Sequence, residues 1–142
     1  MKISTRGRYA IRVLIDMAEN FKGEYIPLKD IVKRQEISQK YLEGIMLTLA
    51  KCGIVEGVHG KGGGYRLKKP PEEITIGEIL RATEGSLAPV TCLEENATPC
   101  ERAGVCKTLP MWREFYALVN GFFDGKTVKD LMGHADCGEY VI

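Results

Sequence analysis

The stretch Ile37-Ser38-Gln39-Lys40-Tyr41-Leu42-Glu43-Gly44-Ile45-Met46-Leu47-Thr48-Leu49-Ala50-Lys51-Cys52-Gly53 decides the fold. Ser38 stands where a helix N-cap is needed, because its hydroxyl can accept a hydrogen bond from a backbone N–H left unpaired at the helix start. Ile37 before the cap and Leu42 after it hold the positions of a hydrophobic staple. Leu42, Ile45, Met46 and Leu49 then recur at three- and four-residue steps, one buried stripe of a helix. Gly53 supplies the stop.

Upstream, a second helix is expected from Pro27, whose missing N–H costs nothing at a first helical position, with Leu28, Ile31 and Val32 inward. Only Arg34-Gln35-Glu36 separates it from Ile37, so the pair reads as a helix-turn-helix. A first helix is predicted from about Thr5 to Phe21, with Tyr9, Ala10, Val13, Leu14, Met17, Ala18 and Phe21 on one face. Downstream, Ile54–Val58 and Tyr65–Leu67 have strand character around His59-Gly60-Lys61-Gly62-Gly63-Gly64, a glycine-rich hairpin tip. Three helices and a hairpin make a winged helix. The expected fold is mainly α with a small β-hairpin wing.

Pro70-Pro71 closes that module, which predicts a winged helix-turn-helix over 1–70 and a second segment over 71–142. A capped helix is expected from Thr75 to Glu84. Residues 85–107 lack helical period. A long terminal helix carries Trp112, Phe115, Tyr116, Val119, Phe122 and Phe123 and ends at Gly125, before one further capped turn from Thr127. This aromatic stripe could complete its own subunit's core. As an apolar seam on a terminal helix it also suggests pairing with a second copy of the chain. A long C-terminal dimerisation helix is the expectation, with the core role open for any single residue in it.

The formal net charge of +1 hides a division. Residues 1–69 hold 14 Lys and Arg against 7 Asp and Glu, whereas residues 70–142 hold 6 against 12. A front half suited to a polyanion follows, unless the excess is only a solvated face. The major groove admits one helix and is read by polar side chains near its N-terminus. Ser38, Gln39, Lys40 and Glu43 offer that face, with Thr48 and Lys51 further along. Gln39 suits adenine, Glu43 can accept from cytosine, and Lys40 can meet guanine or phosphate. An ordinary solvated helix face has the same composition. The wing adds His59 and Lys61, with glycines including Gly62 and Gly63 that let backbone approach a phosphate. Arg6, Arg8 and Arg12 can neutralise further phosphates. The glycines do not make a nucleotide loop: a Walker motif would need glycine at Val55, and the dinucleotide fingerprint would need it at Tyr65. The partner expected is double-stranded DNA, read as a near-palindrome by a two-fold dimer.

No apolar leader and no membrane-length apolar run occur, so a soluble, cytoplasmic protein with no membrane partner is expected. In that reducing compartment the five cysteines are not structural disulfides. Cys92, Cys100 and Cys106 fall within one loop, and such a group suits a metal centre or a redox sensor. Short zinc knuckles are absent, and the spacing leans towards a larger cluster. Unligated thiols packed in the core are the alternative, and Cys52, beside a buried helix, is read that way. No C-x-x-C motif supports disulfide-exchange catalysis, so no enzyme is expected.

At this point the chain resembles the IscR-type family of bacterial winged-helix transcription regulators, relatives of NsrR and CymR. The resemblance runs through Met1-Lys2-Ile3-Ser4-Thr5-Arg6-Gly7-Arg8-Tyr9-Ala10, Ile37-Ser38-Gln39-Lys40-Tyr41-Leu42-Glu43, Gly60-Lys61-Gly62-Gly63-Gly64-Tyr65, and the cysteine loop followed by Met111-Trp112-Arg113. It implies a homodimeric promoter-binding repressor carrying an iron–sulfur cluster, 2Fe-2S in the IscR branch. It adds Lys2 and Tyr41 to the DNA-contacting set and makes Glu43 the glutamate that discriminates sites. Cys92, Cys100 and Cys106 match the three cysteine ligands. Two departures stand out. The first cysteine gap is longer than in the best-known members, and the position of the IscR-branch histidine ligand is Leu109. The fourth ligand is unassigned among His134, Cys137, Glu101 and a partner group. Regulation by nitric oxide, by thiol redox state or by a cysteine-metabolism signal or partner is the other reading that the family allows.

Overall fold

The computed structural model describes residues 1–133. Its elements are α1 (Thr5–Asn20), α2 (Leu28–Gln35), α3 (Gln39–Lys51), β1 (Val55–Val58), β2 (Gly64–Leu67), α4 (Ile76–Glu84), α5 (Leu109–Asp124) and α6 (Val128–Leu131). Short 3₁₀ turns lie at Pro71–Glu73, Thr91–Leu93 and Ala103–Val105.

The local signals act as their chemistry requires. Ser38 accepts from the Tyr41 N–H at 3.3 Å, and Ile37 and Leu42 are both buried. Leu42, Ile45, Met46 and Leu49 are at most 1% exposed. Burying each fully is worth about 1.5–3 kcal/mol, which is what fixes α3 in the core. The tight turn into α3 uses Glu36 in the left-handed region, φ 55°, with its N–H on the Val32 carbonyl at 2.9 Å. β1 and β2 pair antiparallel from Val55 opposite Leu67 to Val58 opposite Gly64. An isolated bridge between Ile26 and Tyr65 ties this hairpin to the entry of α2.

One apolar core runs from Ala10 in α1 through α3 and β1 to Ile79, Leu80 and Val128. α4 packs on both α1 and α3, and α6 returns to α1. Among the described residues Asp16 is the buried charge: Arg34 donates to it at 2.8–3.2 Å and Gln35 at 2.9 Å, fastening α1 to α2. Those bonds raise the Arg34 pKa above its ordinary value.

Three expectations need correction. Phe21 is 50% exposed, because α1 ends at Asn20 and the chain turns extended there. Cys52 is exposed, because it caps α3 where the helix emerges from the core. The aromatic stripe of α5 is not one face. Tyr116, Val119 and Phe123 pack against the core, whereas Phe115 and Phe122 are exposed together with Met111 and Leu118. Met111, Phe115, Leu118 and Phe122 follow i, i+4, i+7 and i+11, so α5 carries a second apolar seam beside the one it buries.

Candidate functional site

Two sites emerge from the residues singled out by sequence, one on the basic half and one on the cysteine loop. On the basic half, capping by Ser38 projects the first turn of α3 outward, so Gln39, Lys40, Tyr41 and Glu43 are all exposed. Gln39 Nε2 donates to Glu43 Oε1 at 3.1 Å, holding the glutamate on the helix surface. Glu43 then faces the wing across a concavity lined by Lys29, Val58, His59, Gly60, Gly63 and Tyr65. Lys29 is a cation the sequence reading missed; its signal was its place in the first turn of α2, beside the strand bridge. Gly60 and Gly62 hold φ of 95° and 78°, and a Cβ on Gly63 would overlap the Val58 carbonyl. These glycines are therefore what lets the hairpin tip close. Lys61 and Gly62 lie exposed at that tip.

On the other flank of α3, Arg6, Ser38, Lys40, Tyr41 and Gly44 line a second concavity. Tyr41 meets Tyr9 edge-on, with ring centroids 5.9 Å apart. Arg12 stacks over Tyr9 at 4.9 Å and donates to the Gln35 carbonyl at 2.7 Å, which turns it towards α2. Arg8 donates to Thr5 Oγ1 at 3.0 Å from an exposed position. Among the described residues, the ion pairs of the front half use Arg34, Arg66 and Lys69. Lys2, Arg8, Lys40 and Lys61 belong to none of these pairs and face solvent. A surface with unneutralised cations, a projecting helix and a glycine wing can follow a phosphate backbone.

At the cysteine loop, Cys92, Cys100 and Cys106 all line one cleft of about 190 Å³ with Pro99, Leu109 and Arg113. Cys92 and Cys100 are exposed and Cys106 is half-buried. None of the three is a core thiol. The foot of α5 builds one wall: Cys106 Sγ lies 3.4 Å from Thr108 Oγ1. That hydroxyl, the N–H groups of Thr108 and Leu109, and nearby Arg102 together hold the Cys106 thiol pKa below the ordinary thiol range. Thiolate is the form that ligates metal.

Three thiols on one cleft are a donor set suited to an iron–sulfur cluster, with Arg113 beside them to offset thiolate charge. The thiols share the cleft without converging: among the described residues no three His, Cys, Asp or Glu side chains gather closely enough to hold a metal ion. Leu109, 8% exposed, forms part of the apolar floor and cannot ligate. Glu101 is exposed on the loop, while His134 and Cys137 lie outside the described residues.

Comparison with known proteins identifies the family of the chain. The profile of the Rrf2 family, described as an iron-dependent transcriptional regulator, matches residues 3–134. The chain is 40% identical over 139 residues to protein rrf2 of Nitratidesulfovibrio vulgaris, covering 95% of this chain and 89% of that one. It is 36% identical over 132 residues to the HTH-type transcriptional regulator IscR of Aliivibrio salmonicida, covering 93% and 77%. The structure of CymR, the global cysteine regulator of B. subtilis, superposes with a TM-score of 0.75 at 32% identity, over 96% of this chain and 99% of that one. The IscR and CymR relatives are regulators, not enzymes. The chain belongs to the Rrf2 family of transcriptional regulators.

Proposed function

We propose that this Rrf2-family regulator is a homodimeric repressor that binds near-palindromic promoter DNA and reads iron–sulfur cluster status through Cys92, Cys100 and Cys106. The observation that carries the sensing half is that all three loop cysteines open on one cleft at the foot of α5. Bound there, a cluster, 2Fe-2S on the IscR resemblance, would supply a redox-active and labile group whose presence can bias the loop. Cys92, Cys100 and Cys106 would hold it, and Thr108 beside Cys106 favours the thiolate form of that ligand. Arg113 offsets charge, and Leu109 keeps one side of the cleft dry. A fourth ligand would come from His134, Cys137, Glu101 or a group of the second subunit.

In the DNA half, Ser38, Gln39, Lys40, Tyr41 and Glu43 enter the major groove. His59, Lys61, Gly62 and Gly63 follow the flanking backbone, and Lys2 and Arg8 add phosphate contacts near the start of α1. The seam of Met111, Phe115, Leu118 and Phe122 pairs two protomers, which sets the separation of the two α3 helices. A loop that changes shape beside α5 can alter that separation.

The test compares anaerobically isolated protein with the Cys92→Ala, Cys100→Ala, Cys106→Ala triple variant against a random pool of duplexes. The proposal expects the two to select different sequences while both remain dimers. Identical selections at equal affinity would refute the coupling. A second reading, a regulator responding to a cysteine-metabolism signal without a cluster, is favoured by Leu109 and by the likeness to CymR. Metal-free, colourless protein that retains full DNA binding would establish it.

A further inference from the structure

The first turn of α1 is fastened on two sides. Behind it, Ser4 donates from its N–H and its hydroxyl to Glu84 Oε1, at 3.0 and 2.6 Å. Glu84 is the last residue of α4. Gly7 stands beside this contact, where a Cβ would overlap the same carboxylate oxygen. In front, Arg6 reaches across to the exposed flank of α3. Its Nη2 donates to the Gly44 carbonyl at 3.0 Å and to Thr48 Oγ1. Thr48 in turn donates to the Gly44 carbonyl at 3.1 Å, so three groups close on one another.

From this we infer that Arg6 is a positioning residue for DNA recognition, setting the rotation and depth of α3 by gripping Gly44 and Thr48 rather than by neutralising a phosphate. A guanidinium is planar and directional, and its Nη2 here meets two acceptors 3.1 Å apart, supplied by residues one helical turn apart on α3. That grip fixes α3 about its own axis. Lys40 and Tyr41 lie one turn before Gly44 and line the same concavity, so rotating α3 carries them with it. Base readout tolerates displacements of only about 0.5 Å, so a small rotation is felt as lost discrimination. The Ser4–Glu84 contact makes the platform rigid, because it anchors the turn carrying Arg6 to the body of the protein.

The inference rests on α3 being the recognition helix, and the experiment separates the two. Full-length wild type, Arg6→Gln, Thr48→Val and the double variant are titrated with a duplex selected from a random pool and with a scrambled duplex, across a salt series. Thr48→Val keeps the arginine charge and removes one of its two acceptors, opening the three-group contact. The expected result is that each single variant loses about tenfold or more of the preference for the selected duplex. Scrambled-duplex affinity and the salt slope stay at wild-type values, and the double variant is no worse than either single. The inference is overturned if Arg6→Gln weakens both duplexes alike and lowers the salt slope by about one per protomer while Thr48→Val changes nothing. Should Arg6→Gln fail to fold, Thr48→Val alone decides, since unchanged preference there overturns the grip. Wild type that binds neither duplex overturns the recognition-helix reading itself.

Discussion

Truncating Leu118 to alanine separates a subunit interface from a subunit core. Leu118 is 65% exposed in the protomer and belongs to the outer seam of α5. Burying a whole leucine side chain is worth about 1.5–3 kcal/mol, so covering the exposed part against a second copy contributes about 1–2 kcal/mol. In the proposed two-fold dimer the residue stands twice, giving about 2–4 kcal/mol in all. At 1.4 kcal/mol per decade, the dimer dissociation constant should rise by roughly 30- to 1000-fold. Sedimentation equilibrium over a concentration series measures this. The folded protomer should be little affected, because Leu118 contributes little to its core. Val119→Ala is the counterpart: at 9% exposure it is part of the core, and it should lower protomer stability while leaving dimerisation almost unchanged. If Leu118→Ala leaves the dissociation constant within threefold of wild type, the outer seam is not the subunit contact.

Glu84→Ala removes both bonds from Ser4 and should lower stability by about 1 kcal/mol in urea denaturation, with the loss confined to the α1–α4 contact. Gly64→Ala places a Cβ against the Ile26 carbonyl and the Pro27 nitrogen at a φ of 150°. It should cost about 1–3 kcal/mol and release the hairpin from α2, seen as faster amide exchange at Tyr65. The Cys106 thiol titrates below its ordinary range because Thr108 and the α5 N–H groups favour the thiolate. In apoprotein, its alkylation by iodoacetamide should therefore persist to lower pH than in Thr108→Val, with the midpoint of the pH–rate curve moving up in the variant. An unmoved midpoint would show that the hydroxyl does not act on the sulfur.

The N-terminal half was legible because its signals are local. Ser38, the Leu42–Leu49 stripe, Gly53 and the glycine-rich tip each fix a conformation within a few residues. Contacts between residues distant in sequence left no such trace: Ser4 meets Glu84 and Arg6 meets Thr48 only once the core has folded. Arg6 and Arg12 read from sequence as interchangeable surface cations, yet one grips α3 and the other turns to Gln35. Asp16 also escaped notice, although an acid set within an apolar helical face signals a buried partner, here Arg34. The split of the α5 stripe was hidden because its apolar residues cover more than one face, and periodicity alone does not say which face meets the core. For the cysteine loop, sequence could group the three thiols, but their common cleft and its Arg113 wall depend on how α5 begins.

Iron and acid-labile sulfide counts on freshly isolated anaerobic protein, read beside its visible spectrum, test the central claim most directly. The account predicts iron and sulfide in equal amounts, a sulfide-to-iron charge-transfer spectrum, and loss of both on replacing Cys92, Cys100 or Cys106. Zinc alone, or no metal with all three thiols intact, would contradict it.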